Sequence, residues 1–210
     1  MTARETASAT RRLAILEAAR TVFLRHGYMG ASMDEVAALA GASKQTVYKH
    51  FIDKETLFNE LVLTTLRATA DSVQAEVLDL RDSGDLAADL RDLARRQLTR
   101  VIQPDLLQLR RLVIGEAGRF PELGRAFYEL GLGRTITALT DVFRNLTERG
   151  LLTVDDAPLA AEHFNWLVVS IPLNRAMFFG DDRPATPAQL RRYADRGVDV
   201  FLAAYGTTSR

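Results

Sequence analysis

The sequence predicts an all-α protein: a small N-terminal three-helix unit, joined by a long helix to a larger C-terminal helical bundle, about nine helices in all. Three observations predict it. Apolar residues recur at i, i+3, i+4 and i+7 through nearly the whole chain, which is the helical period. Strict alternation long enough to build a sheet is missing from the sequence. Glycine, proline and capping Ser, Thr or Asp stand at the joints between the periodic segments.

The first helix is expected over about 10–26. Ile15, Leu16, Ala19, Val22 and Phe23 form its apolar stripe, and Gly27 suits a left-handed C-cap. Ser32-Met33-Asp34-Glu35 reads as a capping box that opens a short second helix, stopped by Gly41. Ser43 caps a third helix from Lys44 to about Phe51. Asp53 caps a long fourth helix from Lys54 to about Leu80, with Phe58, Leu61, Val62, Leu66, Val73 and Val77 on its buried side.

A fifth helix follows over about 85–102 and a sixth over about 105–118. The seventh runs from Pro121, well suited to a first helical position, to about Arg149. Asp156 and Pro158 start an eighth that reaches Phe179 and contains Pro172. Thr186-Pro187-Ala188-Gln189 starts the ninth with a capping box and a proline together. Leu190, Tyr193, Ala194, Gly197, Val198, Phe201, Leu202 and Tyr205 then form a strict stripe, in which Gly197 points to close approach of a second helix. The polar stretch 180–185 is expected to be a loop, and residues 1–9 and 206–210 to be unstructured.

Composition bounds the function. The 210 residues are 47% hydrophobic and 26% charged, enough for one large domain or two small ones with a real core. Basic and acidic residues balance at 27 each, which excludes a polycation that wraps DNA but allows a local basic patch. There is no cysteine, so disulfides, thiolate metal sites and cysteine nucleophiles are excluded. His26, His50 and His163 are too far apart for a two-histidine metal helix. No cofactor is expected. The polar start lacks a secretory core, and no apolar run reaches about 18 residues, so no membrane span and a cytoplasmic location are expected.

Only three of the basic residues are lysines, Lys44, Lys49 and Lys54, and all three fall in one short stretch. Ammonium point charges suit phosphate contacts, although a base-composition bias towards arginine would leave the same trace. Residues 1–55 carry eight basic and six acidic side chains, whereas 56–210 carry nineteen and twenty-one. The second and third helices, separated by three or four residues with a glycine, have helix-turn-helix spacing. A third helix of about eight residues with few core positions is a poor structural element and a good major-groove probe.

Residue by residue, Gln45 can pair with the N6/N7 edge of adenine and Thr46 can touch a thymine methyl. Lys44 and Lys49 add charge, while Tyr48 and His50 add polar groups on flat bodies. The caps Ser32 and Ser43 bring hydroxyls and free backbone N–H groups towards phosphate.

The run Gly41-Ala42-Ser43-Lys44-Gln45-Thr46-Val47-Tyr48-Lys49-His50-Phe51, followed by Lys54 and Leu57, closely resembles the DNA-binding domain of the TetR family of bacterial transcriptional regulators. The family pattern is matched at Gly41, Ser43, Thr46, Val47, Tyr48, His50, Phe51, Lys54 and Leu57; Gln45 departs from it, since many members carry a small residue there. The resemblance implies a phosphate contact by Lys54, a DNA-binding domain over 1–55 and a ligand-binding and dimerisation domain over 56–210. It implies a homodimer through the last two helices, a roughly palindromic double-stranded operator, and release by a small-molecule effector. Phe164, Leu167, Val168, Ile171 and Phe178, with the ninth-helix stripe, offer apolar surface for such an interface.

A weaker similarity to one C-terminal subgroup of the family lies in Arg111–Ala117, Phe120–Leu123 and Phe127-Tyr128. Candidate effector contacts are Arg110, Phe127, Asn165, Trp166 and Met177, large or polar groups among leucines and valines, with plain core or solvated roles as the alternative. The competing function is a helical enzyme or carrier for a small hydrophobic molecule. Its nearest acid–base pair is Glu162-His163, whose adjacent side chains diverge by about 100° on a helix.

Overall fold

The computed structural model describes residues 3–180 and 184–207, with side chains described throughout except at 3–4 and 68–72. Among the described residues it is all helical, with ten α-helices: α1 Ala3–Gly30, α2 Met33–Leu39, α3 Lys44–His50, α4 Lys54–Leu78, α5 Leu86–Val101, α6 Pro104–Glu116, α7 Pro121–Tyr128, α8 Arg134–Glu148, α9 Ala157–Phe179 and α10 Pro187–Tyr205.

The chain divides into two compact units. The first comprises residues 1–67 together with 108–127, and the second comprises 68–107 together with 128–210.

In the first unit the α1 stripe is buried as expected: Ile15, Leu16, Ala19, Val22 and Phe23 are all sealed from solvent. Gly27 has a positive φ of 69°, but it marks a kink and not the helix end, because a further turn runs on to Gly30. That turn carries Tyr28 into a cluster with Phe23, Phe58 and Phe120, at ring separations of 6.1, 5.2 and 4.8 Å. At the other end α1 starts at Ala3, so 3–9 are helical where sequence suggested unstructured chain; residues 1–2 lie outside the described residues. Propensity supports this longer start, with Ala3, Arg4, Glu5 and Ala7 all good helix formers.

The second unit is built around Leu90, Leu93, Leu98, Leu139, Phe143, Phe164, Val168, Val198 and Phe201. Phe143, Phe164 and Phe201 contact one another at 5.0–5.8 Å between centroids. Gly197 of α10 is a close-approach residue, since a Cβ there would lie 2.7 Å from the Leu167 carbonyl oxygen of α9. Two arginines of α5 are tied to α10, Arg91 to Asp199 at 2.9 Å and Arg95 to Asp195 at 2.7 Å.

The expected seventh helix is two. It breaks at a π-helical turn, Glu129–Gly133, between α7 and α8. Gly131 and Gly133 weaken the α-helix there, each by about 1 kcal/mol relative to Ala, so a wider turn is tolerated. The tail also departs from expectation: Gly206 pairs with Leu152, and the Thr153 N–H donates to the Tyr205 carbonyl. The loop positions 181–183 and the tail positions 208–210 lie outside the described residues.

Candidate nucleic-acid interface

The interface candidate is built on two short helices and the turn between them. Ser32 caps α2 by accepting the Glu35 N–H at 3.1 Å. The Glu35 carboxylate does not complete a capping box; it meets Nε2 of His26 at 3.0 Å and ties α2 to α1. The reciprocal bond expected at this cap is thus replaced by a longer-range one.

At its far end α2 closes with paired bonds, Ala42 N–H to Ala37 carbonyl and Gly41 N–H to Ala38 carbonyl. This is a Schellman closure, and it needs the positive φ of Gly41, 58°. The chain therefore turns sharply and delivers Ser43 as the cap of α3, accepting the Thr46 N–H at 3.1 Å.

Only Val47 of α3 is buried. It and Phe51 root the helix in the core of the first unit, and the guanidinium of Arg12 covers the Phe51 ring at 5.0 Å while pairing with Glu60. Lys44, Gln45, Tyr48 and Lys49 are exposed, Thr46 and His50 half-buried. Tyr48 is the aromatic that packing leaves outside, at 42% exposure, whereas Phe51 is sealed.

The charges are not equivalent. Lys44 pairs with Asp34 of α2 at 2.8 Å, which raises its pKa through that hydrogen bond. Thr46 Oγ1 lies 2.8 Å from Ser43 Oγ, so both hydroxyls belong to the cap. Lys54 donates to the carbonyls of Ala31 at 3.0 Å and Met29 at 3.4 Å and covers the Tyr28 ring. It fastens the start of α4 to the α1–α2 turn and keeps its charge beside the cap of α2. Sequence reasoning missed Asp34 as the partner of Lys44 because the pairing crosses from one helix to the next. It also missed Arg119, whose guanidinium lies 5.2 Å from the Tyr28 ring.

The five effector candidates are divided between the two units. Arg110 and Phe127 belong to the first unit, and Asn165, Trp166 and Met177 to the second. Asn165 is buried and accepts a hydrogen bond from Gln97 at 2.7 Å, leaving its own amide N–H group without a partner. Met177 packs on the core of the second unit. Trp166 is on the outer side of α9, 45% exposed. Glu162 and His163 are both exposed, and the His163 Nδ1 lies 2.6 Å from the Tyr205 hydroxyl. Among the described residues no helix is long and apolar enough to cross a membrane.

The interface geometry agrees with what the chain is similar to. Residues 15–61 match the family model for bacterial regulatory proteins of the tetR family, and residues 88–207 match that for the AefR-like transcriptional repressor C-terminal domain. A solved TetR-family regulator from Mesorhizobium loti is 44% identical, superimposes with a TM-score of 0.90, and aligns over 99% of this chain and 100% of its own. A flavonoid-responsive regulator, FrrA, is 32% identical with a TM-score of 0.76 over 96% of this chain and 100% of its own.

Among curated proteins, the transcriptional repressor SCO4008 of Streptomyces coelicolor is 29% identical over 87% of this chain and 94% of its length. Two others match over less. The match covers 31% of the regulator YhgD of Bacillus subtilis and 52% of the repressor TetR of Mycobacteroides abscessus, at 45% and 39% identity over 29% and 47% of this chain. With both family models matched in chain order, and the turn, caps and exposed face of α3 in place, this chain belongs to the TetR family of bacterial transcriptional regulators.

Proposed function

We propose that the chain is a dimeric cytoplasmic repressor, which reads a roughly palindromic operator with α3 and leaves it on binding a small apolar or aromatic molecule. Residues 1–55 bind DNA in this reading, and 56–210 bind the effector and the second copy. One observation carries it: α3 buries a single side chain, Val47, and turns Lys44, Gln45, Tyr48 and Lys49 outward beside two capped helix N-termini. Such a surface offers cations and free N–H groups to phosphates and an amide to base edges.

Ser32, Ser43 and Lys54 hold the backbone, Lys49 and Lys44 supply charge, and Gln45, Thr46, Tyr48 and His50 face the groove. Lys44 exchanges Asp34 for a phosphate on docking. An exposed pair of this kind is worth little, about 0–1 kcal/mol, so the exchange is cheap. Repression is favoured over activation by the name of SCO4008, and an aromatic effector by the name of FrrA.

The test is selection of random duplexes by the full chain, followed by anisotropy titration of the enriched sequence. An inverted repeat with half-sites about one turn of DNA apart is expected. A pool that never departs from random sequence defeats the proposal.

A further inference from the structure

Several arginines in this chain are held by carboxylates, and others, such as Arg134 and Arg149, donate to neutral oxygens. Arg12 meets Glu60, Arg91 meets Asp199, Arg95 meets Asp195, Arg100 meets Glu76 and Arg144 meets Asp141. Arg110 of α6 departs from that pattern. The positions three and four away on its own helix are Leu106, Leu107, Val113 and Ile114, so no acid stands at ion-pair spacing. Its Nε is buried and has no hydrogen-bond acceptor among the described residues. Leu107 and Val113, beside it on the helix face, are buried too, while the rest of the Arg110 side chain keeps some surface open.

Burial pushes the guanidinium below its usual pKa, and among the described residues no acid pulls it back. Arginine nevertheless stays charged at any physiological pH. Among the described residues this desolvated cation meets no counterion, a costly arrangement that removal of the charge would relieve. A buried charge without a structural partner, in a protein that answers to a ligand, is suited to meeting a charge the ligand brings.

We propose that Arg110 receives an acidic group of the effector, and that the effector is an aromatic acid: an apolar ring system carrying a carboxylate, sulfonate or ionised phenol. This rests on the reading of the chain as ligand-responsive and narrows it to one ligand class. The planar guanidinium pairs with the acid through charge-assisted hydrogen bonds, strengthened by apolar flanks that exclude water. A duplex phosphate does not fit this role, because the sealed Nε sits amid the apolar side chains of a helix and not at an exposed terminus.

Two fluorescent probes with one ring system separate the possibilities in the full chain: 1-anilinonaphthalene-8-sulfonate, and N-phenyl-1-naphthylamine, which lacks the sulfonate. The expected result is sulfonate binding at least about tenfold tighter than neutral binding. Arg110→Gln should bring the sulfonate probe to the neutral probe's affinity and leave the neutral probe within about twofold. Arg110→Lys, which keeps the charge but not the fork, should recover part of the difference. Ligand-free Arg110→Gln should melt no lower than the parent, a readout that a merely structural arginine would move downwards.

Equal affinity of the two probes for the parent protein, or equal weakening of both in Arg110→Gln, overturns the assignment and leaves the ligand-responsive reading standing. Binding of neither probe overturns both.

Discussion

The Lys54 ammonium sits 4.7 Å from the centre of the Tyr28 ring, so the lysine expected at phosphate is positioned by an aromatic at the end of α1. Arg119 approaches the same ring at 5.2 Å, and Phe120 meets it edge-on. Tyr28 is thus the common contact of α1, α4 and the segment before α7, all within the first unit. Tyr28→Ala should cost roughly 3–5 kcal/mol in urea unfolding, as large aromatic truncations do. Tyr28→Phe keeps the ring and both cation contacts and should cost much less. If the two variants unfold alike, the ring contributes nothing that its hydroxyl does not.

Lys49 is exposed on the last turn of α3. If it meets a phosphate, Lys49→Ala should weaken operator binding for all sequences alike and lower the slope of log K against log salt by about 0.9. Gln45→Ala should instead relax the preference at one base pair, by about 1–3 kcal/mol of discrimination, with the slope unchanged. Binding titrations between low and moderate salt on matched and mismatched duplexes separate these outcomes. Identical slopes for parent and Lys49→Ala would remove Lys49 from the contact.

Gly197 tests the α9–α10 packing. Alanine raises helix propensity by about 1 kcal/mol, yet its Cβ would meet the Leu167 carbonyl oxygen at 2.7 Å and carbon at 3.0 Å. Those atoms are backbone and cannot swing aside, and overpacking of this sort costs roughly 1–3 kcal/mol. Gly197→Ala is therefore expected to melt lower than the parent by differential scanning calorimetry, against its propensity. A higher melting temperature would mean that α10 can shift without loss.

What local sequence determines was legible; what crosses between elements was not. The caps at Ser32, Ser43, Asp156 and Thr186 follow from one residue type and a spacing of three, and each accepts the expected N–H. Helical period places the stripe from Leu190 to Tyr205 on one face, but that face packs on the chain's own core and does not offer the expected surface to a second copy. Glu35 meets His26 and not its own cap, because a competing partner from another helix leaves no trace in local spacing. The break at 129–133 was hidden because the apolar pattern continues through it while the hydrogen-bond register changes. Phe164 and Val168, expected to contribute apolar surface for a second copy, are consumed by the chain's own core, and Ile171 and Phe178 remain outside. Propensity and period carry no information on which of two available neighbours claims a residue.

Asp53 gives the α4 start an acid limb. Its side chain accepts the Thr56 N–H at 2.7 Å, and this bond holds its carboxyl below the usual aspartate value. A depressed folded-state pKa adds stability that is complete above the unfolded pKa, about 3.9, and is lost as pH falls through the folded pKa. The parent should thus lose part of its melting temperature below about pH 4 through this group. Asp53→Asn, an equally good cap at neutral pH, should match the parent there and lack this part of the acid loss. Parallel acid limbs in the two proteins would show that the cap charge is not coupled to folding.

Helix α9 keeps an exposed apolar face. Leu159, Trp166, Ile171 and Phe178 of α9 are 44%, 45%, 55% and 81% exposed. At 100° per residue they fall within an arc of about 140°, one side of one helix. Burying four such side chains against a second copy is worth roughly 1.5–3 kcal/mol each before the costs of association. Trp166 is the only tryptophan, so its emission reports directly on that face. On dilution its maximum should move to longer wavelength in step with halving of the mass in sedimentation. Ile171→Glu should hold the protein at one chain's mass, 23.3 kDa, with red emission at every concentration. The same variant should lose operator affinity by far more than one half-site's share, because two half-sites are then no longer gripped as one. Unchanged emission from nanomolar to high micromolar parent protein, at the mass of a single chain, would leave the face without a second copy and the paired-helix reading of the operator without its geometry.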